Sequence, residues 1–157
     1  MWVIDAMKTF GLAGWSGSGK TTLAVNLLKE LRKNKFTVST IKHTHHKFDL
    51  DKPGKDSYSH REAGASEVMI ASSTRWALLH ELANKSEPDV KDLIRRMSPV
   101  DLILIEGFKS YLHPKLEIYR PSLNKPLLAS HDSSIVAIAS DGQLQNPIVP
   151  VFDLNDP

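Results

Sequence analysis

The sequence predicts a three-layer α/β fold, in which a mostly parallel sheet is flanked by helices and includes an antiparallel hairpin portion. Two observations lead to this fold class. An apolar run, a glycine-rich loop and an amphipathic helix follow one another near the start of the chain. A continuous apolar run, DLILIEG at residues 101–107, is typical of a central parallel strand that is covered on both faces. Because the chain has 157 residues, we expect a single domain, with residues 1–7 as an N-terminal extension.

Hydrophobic periodicity and turn residues predict the individual elements. A strand at Lys8–Ala13 leads into the glycine loop, and a helix from Gly19 carries an apolar stripe that includes Leu23, Leu27 and Leu31. Alternation over residues 36–42 predicts a second strand, and a strand, helix and strand of this length form a parallel pair with a right-handed crossover. We predict further helices at residues 57–64 and 87–97, and further strands at residues 68–71, 76–79, 116–119, 135–139 and 148–152.

The composition bounds the class of protein. Apolar residues make up 41% of the chain, and no apolar run approaches the roughly 18 residues that a membrane helix needs. The first residues lack the pattern of a secretory signal, and there is no cysteine to pair in an oxidising compartment. A formal charge of +2 is too small to indicate nucleic acid as a partner. We therefore expect a soluble, cytoplasmic protein.

The stretch GWSGSGKTT at residues 14–22 predicts a phosphate-binding loop. Its spacing, Gly14-x-x-x-x-Gly19-Lys20-Thr21, fits the Walker A pattern of the P-loop nucleotide-binding fold. Glycines let the backbone turn with positive φ and approach an anion, and the following helix directs its positive end at the phosphates. In this pattern the lysine contacts the terminal phosphates and the hydroxyl binds Mg²⁺.

A second acid is required to hold the metal, and DLILIEG contains two. In open parallel sheets ligands bind beyond the carboxyl ends of the strands, and Glu106 lies at that end of this predicted strand. Asp101 lies at the other end, about 16 Å away at roughly 3.3 Å per residue. Glu106 is therefore the candidate acid for the metal, and Asp101 is interpreted as a cap at the entry of the strand.

A polar loop, KHTHHKFDLDKPGKDS at residues 42–57, follows the second predicted strand. A zinc site there is disfavoured because the adjacent His45 and His46 would alternate faces and no further ligand has a fixed spacing. A cationic rim that meets an anionic ligand or partner is one interpretation, and a solvated loop is the other. Asp56 could reach Mg²⁺ through water, or it could cap a short helix.

Asp141 is the candidate reader of the nucleotide base, because VAIASDG places it directly after a predicted strand. Its carboxylate could accept hydrogen bonds from N1–H and N2–H₂ of guanine, whereas adenine presents no matching donors. The full Asn-Lys-x-Asp signature for guanine is absent, and an ordinary Asp-Gly turn is the alternative interpretation.

The ordered combination of GWSGSGKTT, KHTHH, PGKDS, REAGA, EGFK and VAIASD resembles the molybdopterin-guanine dinucleotide biosynthesis protein B (MobB) family across nearly the whole chain. The resemblance implies a dimeric P-loop protein that binds GTP and Mg²⁺, with weak GTPase activity. It also implies a role in assisting the guanylyltransferase that joins GMP to molybdopterin. The implied contacts are Gly17, Gly19, Lys20, Thr21 and Thr22 with the nucleotide, and Thr21, Glu106 and Asp56 on the metal side. Gly14 and Ser18 of the same loop complete the candidate nucleotide-binding residues.

Three functions stay open at this point. The first is the GTP-binding accessory protein, the second is a small-molecule kinase that uses the same loop, and the third is a nucleotide-bound adapter without turnover. Kinases of this fold close arginine-bearing lids, for which the sequence offers only Arg61 and Arg75. For an accessory protein, the surface that meets the pterin or the partner enzyme is expected to include His43, His45, His46, Lys47 and Lys109.

Overall fold

The computed structural model describes residues 7–44, 48–108 and 110–155. In chain order, the strands and helices are β1 Lys8–Ala13, α1 Lys20–Lys33, β2 Val38–Lys42, α2 Asp56–Glu62, β3 Glu67–Ala71, β4 Trp76–His80, α3 Val90–Arg95, β5 Leu102–Glu106, β6 Lys115–Tyr119, β7 Ile135–Ser140 and β8 Val151–Asp153. Within the described residues, no helix is both long and apolar enough to cross a membrane.

The chain forms two compact units. The first, here called the sheet unit, comprises residues up to 43 together with those from 94 onwards, and the second, the hairpin unit, comprises residues 44–93. The boundary falls within α3.

The sheet unit contains six strands in the order β2-β5-β1-β6-β7-β8, and every neighbouring pair is parallel. β1 therefore lies in the interior, between β5 and β6. All six carboxyl ends meet at one edge of the sheet, so side chains that follow these strands share that edge. The mostly parallel sheet with a separate antiparallel pair confirms the predicted fold class.

Both faces of this sheet are packed. On one side α1 places Leu23 against Leu12, Ile118 and Ala139, because the apolar stripe of the helix follows a period of about 3.6 residues. A second cluster contains Ala13, Ala129, Ile135 and Ile138, with Leu127 and Leu128 packed against it. Ile103 and Leu104 of the interior strand β5 point to opposite faces of the sheet and are 0% and 3% exposed, as expected of a strand that is covered on both faces.

In the hairpin unit, β3 and β4 pair antiparallel, with Val68 opposite Leu79, and α2 packs against β3. Arg61 of α2 donates to Asp49 at 2.8 Å and lies 3.6 Å from both Asp51 and Glu81. This arginine is therefore engaged with three carboxylates of its own unit.

The predicted helix over residues 87–97 is too long, since α3 covers only Val90–Arg95. Asp89 explains the start, because its side chain accepts a hydrogen bond from the Lys91 N–H at 2.8 Å, as a cap does. Pro88 precedes this cap and has no N–H to continue a helix backwards. The apolar period itself begins only at Val90, so residues 87–89 were assigned to the helix without an apolar signal.

Other predicted elements also differ from the structure at their ends, mostly by one or two residues. β2 begins at Val38 and not at residue 36, and α2 begins at Asp56, one residue before the prediction. β8 begins at Val151 and not at residue 148, because Pro150 has no N–H to donate to the sheet. Pro150 instead accepts at its carbonyl from the Ile138 N–H at 2.9 Å.

Strand β6 carries two buried charged side chains, Lys115 and Glu117, which are 1% and 0% exposed. Lys115 donates to Asp132 at 3.0 Å and to Ser134 at 2.5 Å. Glu117 accepts from the backbone N–H groups of Leu128 and Ala129, both at 2.8 Å. Burying a charge costs several kcal/mol unless it is paired in this way. Both charges therefore hold the segment between β6 and β7 in one position.

His113 lies beside this cluster, buried, with neither ring nitrogen hydrogen-bonded. A Cβ on Gly11 of β1 would overlap its Nε2 atom, so the ring uses the space that the glycine leaves. Burial, with a smaller contribution from the charge of Lys115, lowers the pKa of His113 from 6.5 to about 4. The imidazole is therefore neutral in the folded protein above that pH.

We expect the free energy of unfolding to fall as the pH drops from 6.5 towards 4, because only the unfolded chain protonates His113 in that window. By pH 4.5 the loss from this residue is about 2 to 3 kcal/mol at 1.36 kcal/mol per pKa unit. Urea unfolding of the protein and of His113→Leu at pH 7.5 and 4.5 measures the difference. Equal pH dependence in both proteins would contradict the assignment.

Candidate functional site

The glycine loop between β1 and α1 has the backbone of a phosphate-binding loop. Gly14, Gly17 and Gly19 have φ angles of 147°, 79° and 99°, a region that side-chain-bearing residues rarely adopt. At Gly14 space is also limiting, since a Cβ there would lie 2.6 Å from the carbonyl oxygen of Ile118. Gly19 is the cap of α1, so the positive end of a 14-residue helix begins at this loop.

Lys20 folds back over the loop. Its Nζ atom donates to the carbonyl of Gly14 at 3.0 Å and to that of Trp15 at 2.9 Å. Both acceptors are backbone groups of the loop itself, so the ammonium is held across the loop's first turn. In this position it can exchange carbonyl acceptors for phosphate oxygens without movement of the helix.

Thr21 and Glu106 come together at the same edge. The Thr21 hydroxyl lies 3.2 and 3.3 Å from the two carboxylate oxygens of Glu106, and Lys42 of β2 lies 3.5 Å from one of them. The parallel register brings this about, because Glu106 is opposite Leu12 of β1 on one side and opposite Lys42 on the other. A hydroxyl and a carboxylate are the hard oxygen ligands that Mg²⁺ prefers. The donor set therefore fits this ion.

Asp101 lies at the opposite end of β5. Its carboxylate accepts from the backbone N–H of Thr37 at 2.7 Å and from the Thr37 hydroxyl at 2.5 Å. These hydrogen bonds, from the hydroxyl first and then the backbone N–H, lower the pKa of Asp101. This acid therefore joins the start of β5 to the segment that leads into β2, as the strand-entry interpretation expects.

Arg120 is a component of this edge that the sequence interpretation missed. It follows β6 directly, its Nε donates to the carbonyl of Ser18 in the glycine loop at 3.0 Å, and one of its NH groups forms an ion pair with Asp141. A Cβ on Gly19 would lie 3.4 Å from the guanidinium. The rule that selected Glu106 and Asp141, position just beyond a strand, would have found Arg120 as well.

Asp141 follows β7, two strands from β1, and borders a depression of about 430 Å³. The floor of the depression includes Gly142 and the end of β8 at Asp153. The Ser140 hydroxyl accepts from the Gly142 N–H at 3.1 Å and fixes the turn after the strand. One arginine thus joins the loop at β1 to the carboxylate beyond β7.

The remaining candidate residues are distributed as follows. His43 stacks on Phe108 with ring centroids 4.4 Å apart and donates its backbone N–H to Glu106 O at 2.8 Å. Thr22 is exposed in the first turn of α1. Asp56 is the first residue of α2 in the hairpin unit, so its role towards Mg²⁺ stays a prediction. His45, His46, Lys47 and Lys109 lie outside the described residues.

The chain is similar to known proteins over most of its length. The model of the family described as MobB, molybdopterin guanine dinucleotide synthesis protein B, matches residues 9–141. A molybdopterin-guanine dinucleotide biosynthesis adapter protein of Escherichia coli (strain K12) is 44% identical over 147 residues, which cover 92% of this chain and 83% of that protein. The adapter protein of the same description from Haemophilus influenzae is 40% identical over 141 residues, which cover 90% of this chain and 79% of that protein.

Solved structures share the fold. Bacillus subtilis MobB superimposes with a TM-score of 0.76 at 24% identity, over 96% of this chain and 92% of that one. The MobB protein homologue from Bacillus stearothermophilus gives a TM-score of 0.69 at 24% identity, over 96% and 90%. The family match and the close relatives confirm the resemblance found in the sequence motifs, and the chain belongs to the MobB family.

Proposed function

We propose that this protein binds GTP with Mg²⁺ at the loop of residues 14–21 and assists the attachment of GMP to molybdopterin. The observation that carries the proposal is the grouping of Lys20, Thr21, Glu106, Arg120 and Asp141 at the carboxyl edge of one sheet. The second half of the proposal comes from the family, whose members from E. coli and H. influenzae are described as molybdopterin-guanine dinucleotide biosynthesis adapter proteins.

Guanine is the base that this edge suits. Two strand spacings separate β1 from β7, about 10 Å at roughly 4.8 Å each, which suits a nucleotide with its phosphates at the loop and its base near Asp141. The carboxylate would accept from N1–H and N2–H₂ of the base, and the depression beside it would hold the ring. Arg120 forms an ion pair with this carboxylate. When guanine binds, Asp141 would therefore either accept from both the base and Arg120 or release Arg120.

Thr21 and Glu106 would hold Mg²⁺, which when bound neutralises charge on the phosphates that it bridges. Lys20 neutralises further charge from within the loop, and Arg120 offers a guanidinium that already contacts the loop at Ser18. The sequence offers no evident general base for an attacking water. We therefore propose that hydrolysis of GTP is slow.

The kinase alternative loses support from the hairpin unit. Arg61, one of two arginines that a lid could use, is held by Asp49, Asp51 and Glu81. An adapter that binds GTP without turnover differs from the main proposal only in that it does not hydrolyse GTP. Slow release of phosphate from GTP supports the accessory GTPase, a phosphorylated acceptor supports the kinase, and the absence of hydrolysis supports the adapter.

A homodimer, acting in the cytoplasm with the guanylyltransferase or molybdopterin as partner, is part of the proposal. The hairpin of β3 and β4 supports the dimer, because it exposes a set of large apolar side chains that an interface would cover. These side chains are Met69, Ile70, Trp76 and Leu78. The surface around His43, with His45, His46, Lys47 and Lys109, stays the predicted contact with the partner.

Replacing Asp141 by Asn tests the base assignment. We expect GTP affinity to fall roughly 10- to 100-fold, because hydrogen bonds to a charged group are worth about 1.5 to 3 kcal/mol. Affinity for xanthosine triphosphate should rise, because an asparagine amide can donate to the oxygen that xanthine carries at C2. Calorimetric titration of both nucleotides measures the exchange.

Asp153→Asn is the matched control, since Asp153 ends β8 and borders the same depression. It should leave the preference for GTP in place. If Asp141→Asn neither weakens GTP nor improves xanthosine triphosphate, Asp141 does not read the base.

A further inference from the structure

A second cavity, of about 660 Å³, adjoins the glycine loop and shares no lining residue with the depression beside Asp141. Trp15 of the loop forms one wall, and the segment between β6 and β7 forms another. Its lining includes Trp15, Leu112, Leu127, Leu128, His131 and Asp132. The volume is that of a site for a small organic ligand, and its walls are mainly apolar with a few polar groups, as such sites usually are.

The walls of this cavity are held in place by hydrogen bonds between residues that are distant in the sequence. The Trp15 indole N–H donates to the carbonyl of Pro126 at 2.8 Å, which joins the glycine loop to the segment after β6. The buried carboxylate of Glu117 binds the backbone at Leu128 and Ala129. Because these contacts fix both walls without a ligand, the cavity is preorganised.

The polar end of the cavity is a carboxylate that is held in place. Asp132 is oriented by the buried ammonium of Lys115 at 3.0 Å and by the Ser134 backbone N–H at 2.9 Å. Burial alone would raise the pKa of Asp132, but hydrogen bonds from Ser134 and Lys115 outweigh it and the pKa is lowered. The group is therefore a charged acceptor. Of the roughly four acceptor sites of a carboxylate, three are used by Lys115 and by the N–H and hydroxyl of Ser134. A donor of the ligand can use the fourth site, and a second donor can take the place of the Ser134 hydroxyl.

We propose that this cavity holds the pterin ring of molybdopterin, an inference that rests on the proposed function. The pyrimidine ring of a pterin is flat and conjugated, so it can stack on Trp15 between leucine side chains. This ring presents an N–H and an amino group on one edge, which matches a carboxylate acceptor such as Asp132. Lys125, 5.8 Å from the centre of the Trp15 ring, provides a cation for the phosphate of the ligand.

This arrangement assigns two carboxylates to two heterocycles. Guanine and pterin share the same pattern of donors, and the structure has one held carboxylate near each end of β7: Asp132 before the strand and Asp141 directly after it. Trp15 belongs to the loop and to the cavity at once. The pterin would therefore lie next to the triphosphate.

Titration with 6-carboxypterin, a fluorescent and anionic pterin, tests the site by fluorescence anisotropy in the presence of GTP and Mg²⁺. Leu112→Glu places a negative charge at the rim, and because Leu112 is 85% exposed the change leaves the fold intact. Asp132→Asn removes the proposed acceptor charge. We expect each to weaken 6-carboxypterin at least tenfold. Ile148→Glu, the same change at a side chain that is 71% exposed and outside the cavity, should alter it less than twofold.

The two carboxylates provide the decisive comparison. Asp132→Asn should weaken 6-carboxypterin more than GTP, and Asp141→Asn should weaken GTP more than 6-carboxypterin. The proposal is overturned if the protein shows no saturable binding of 6-carboxypterin, if Leu112→Glu binds it as the unchanged protein does, or if Asp141→Asn is the variant that loses it. If instead the proposed GTP site is wrong, the result is different: Lys20→Ala would then bind GTP as the unchanged protein does.

Discussion

Lys20→Ala should abolish tight binding of GTP while leaving the fold intact. The ammonium forms two hydrogen bonds with carbonyls of the loop, and in the nucleotide complex these would be replaced by charge-assisted bonds to phosphate. Such bonds are worth about 1.5 to 3 kcal/mol each, so two of them correspond to a loss of roughly 100-fold or more. Calorimetric titration with GTP and Mg²⁺ measures the loss, and a circular dichroism spectrum reports on the fold.

Lys33→Ala is the matched control, because Lys33 lies at the far end of the same helix and forms only an exposed ion pair with Glu30 at 2.8 Å. It should bind GTP as the unchanged protein does. Equal GTP affinity in Lys20→Ala and Lys33→Ala would show that the glycine loop is not the site.

Glu106→Gln should slow Mg²⁺-dependent hydrolysis of GTP by about 10- to 100-fold, because the amide lacks the charge of the carboxylate that would hold the metal. Nucleotide binding should change less, because the loop and Lys20 still hold the phosphates. Release of phosphate under single-turnover conditions separates the two effects.

Asp101→Asn is a control on the same strand, since Asp101 lies at the amino end of β5 and is hydrogen-bonded to Thr37. We expect hydrolysis in this variant to stay near the original rate. If Asp101→Asn slowed hydrolysis more than Glu106→Gln did, the metal would lie at the amino end of β5, and the proposed Mg²⁺ site at Glu106 would be wrong.

Local signals in the sequence were sufficient for the parallel sheet and the glycine loop. DLILIEG predicted a strand that is buried on both faces, and β5 is that strand. The ends of elements were less accurate, because one capping residue or one proline decides them. Asp89 stops α3 from extending backwards, and Pro150 delays β8, although Ile148 and Val149 continue the apolar pattern before that proline.

Site residues could be predicted when one strand end was enough to place them. Glu106 was found by this rule, and the structure brings it to the Thr21 hydroxyl. Arg120 also follows a strand directly, so the same rule could have found it. Its contact with Ser18 could not be predicted, because that contact depends on the strand order, which puts β6 beside β1. The cavity at Trp15 depends on a hydrogen bond to Pro126, 111 residues away in the chain, and no local pattern encodes that contact.

The central claim is that GTP held at the glycine loop serves formation of the guanine dinucleotide cofactor. A reconstituted assay with molybdopterin, GTP, Mg²⁺ and the guanylyltransferase measures it directly, by the rate at which molybdopterin guanine dinucleotide appears with and without this protein. We expect the unchanged protein and Lys33→Ala to raise the rate and Lys20→Ala to have no effect on it. A rate raised equally by Lys20→Ala would contradict the claim.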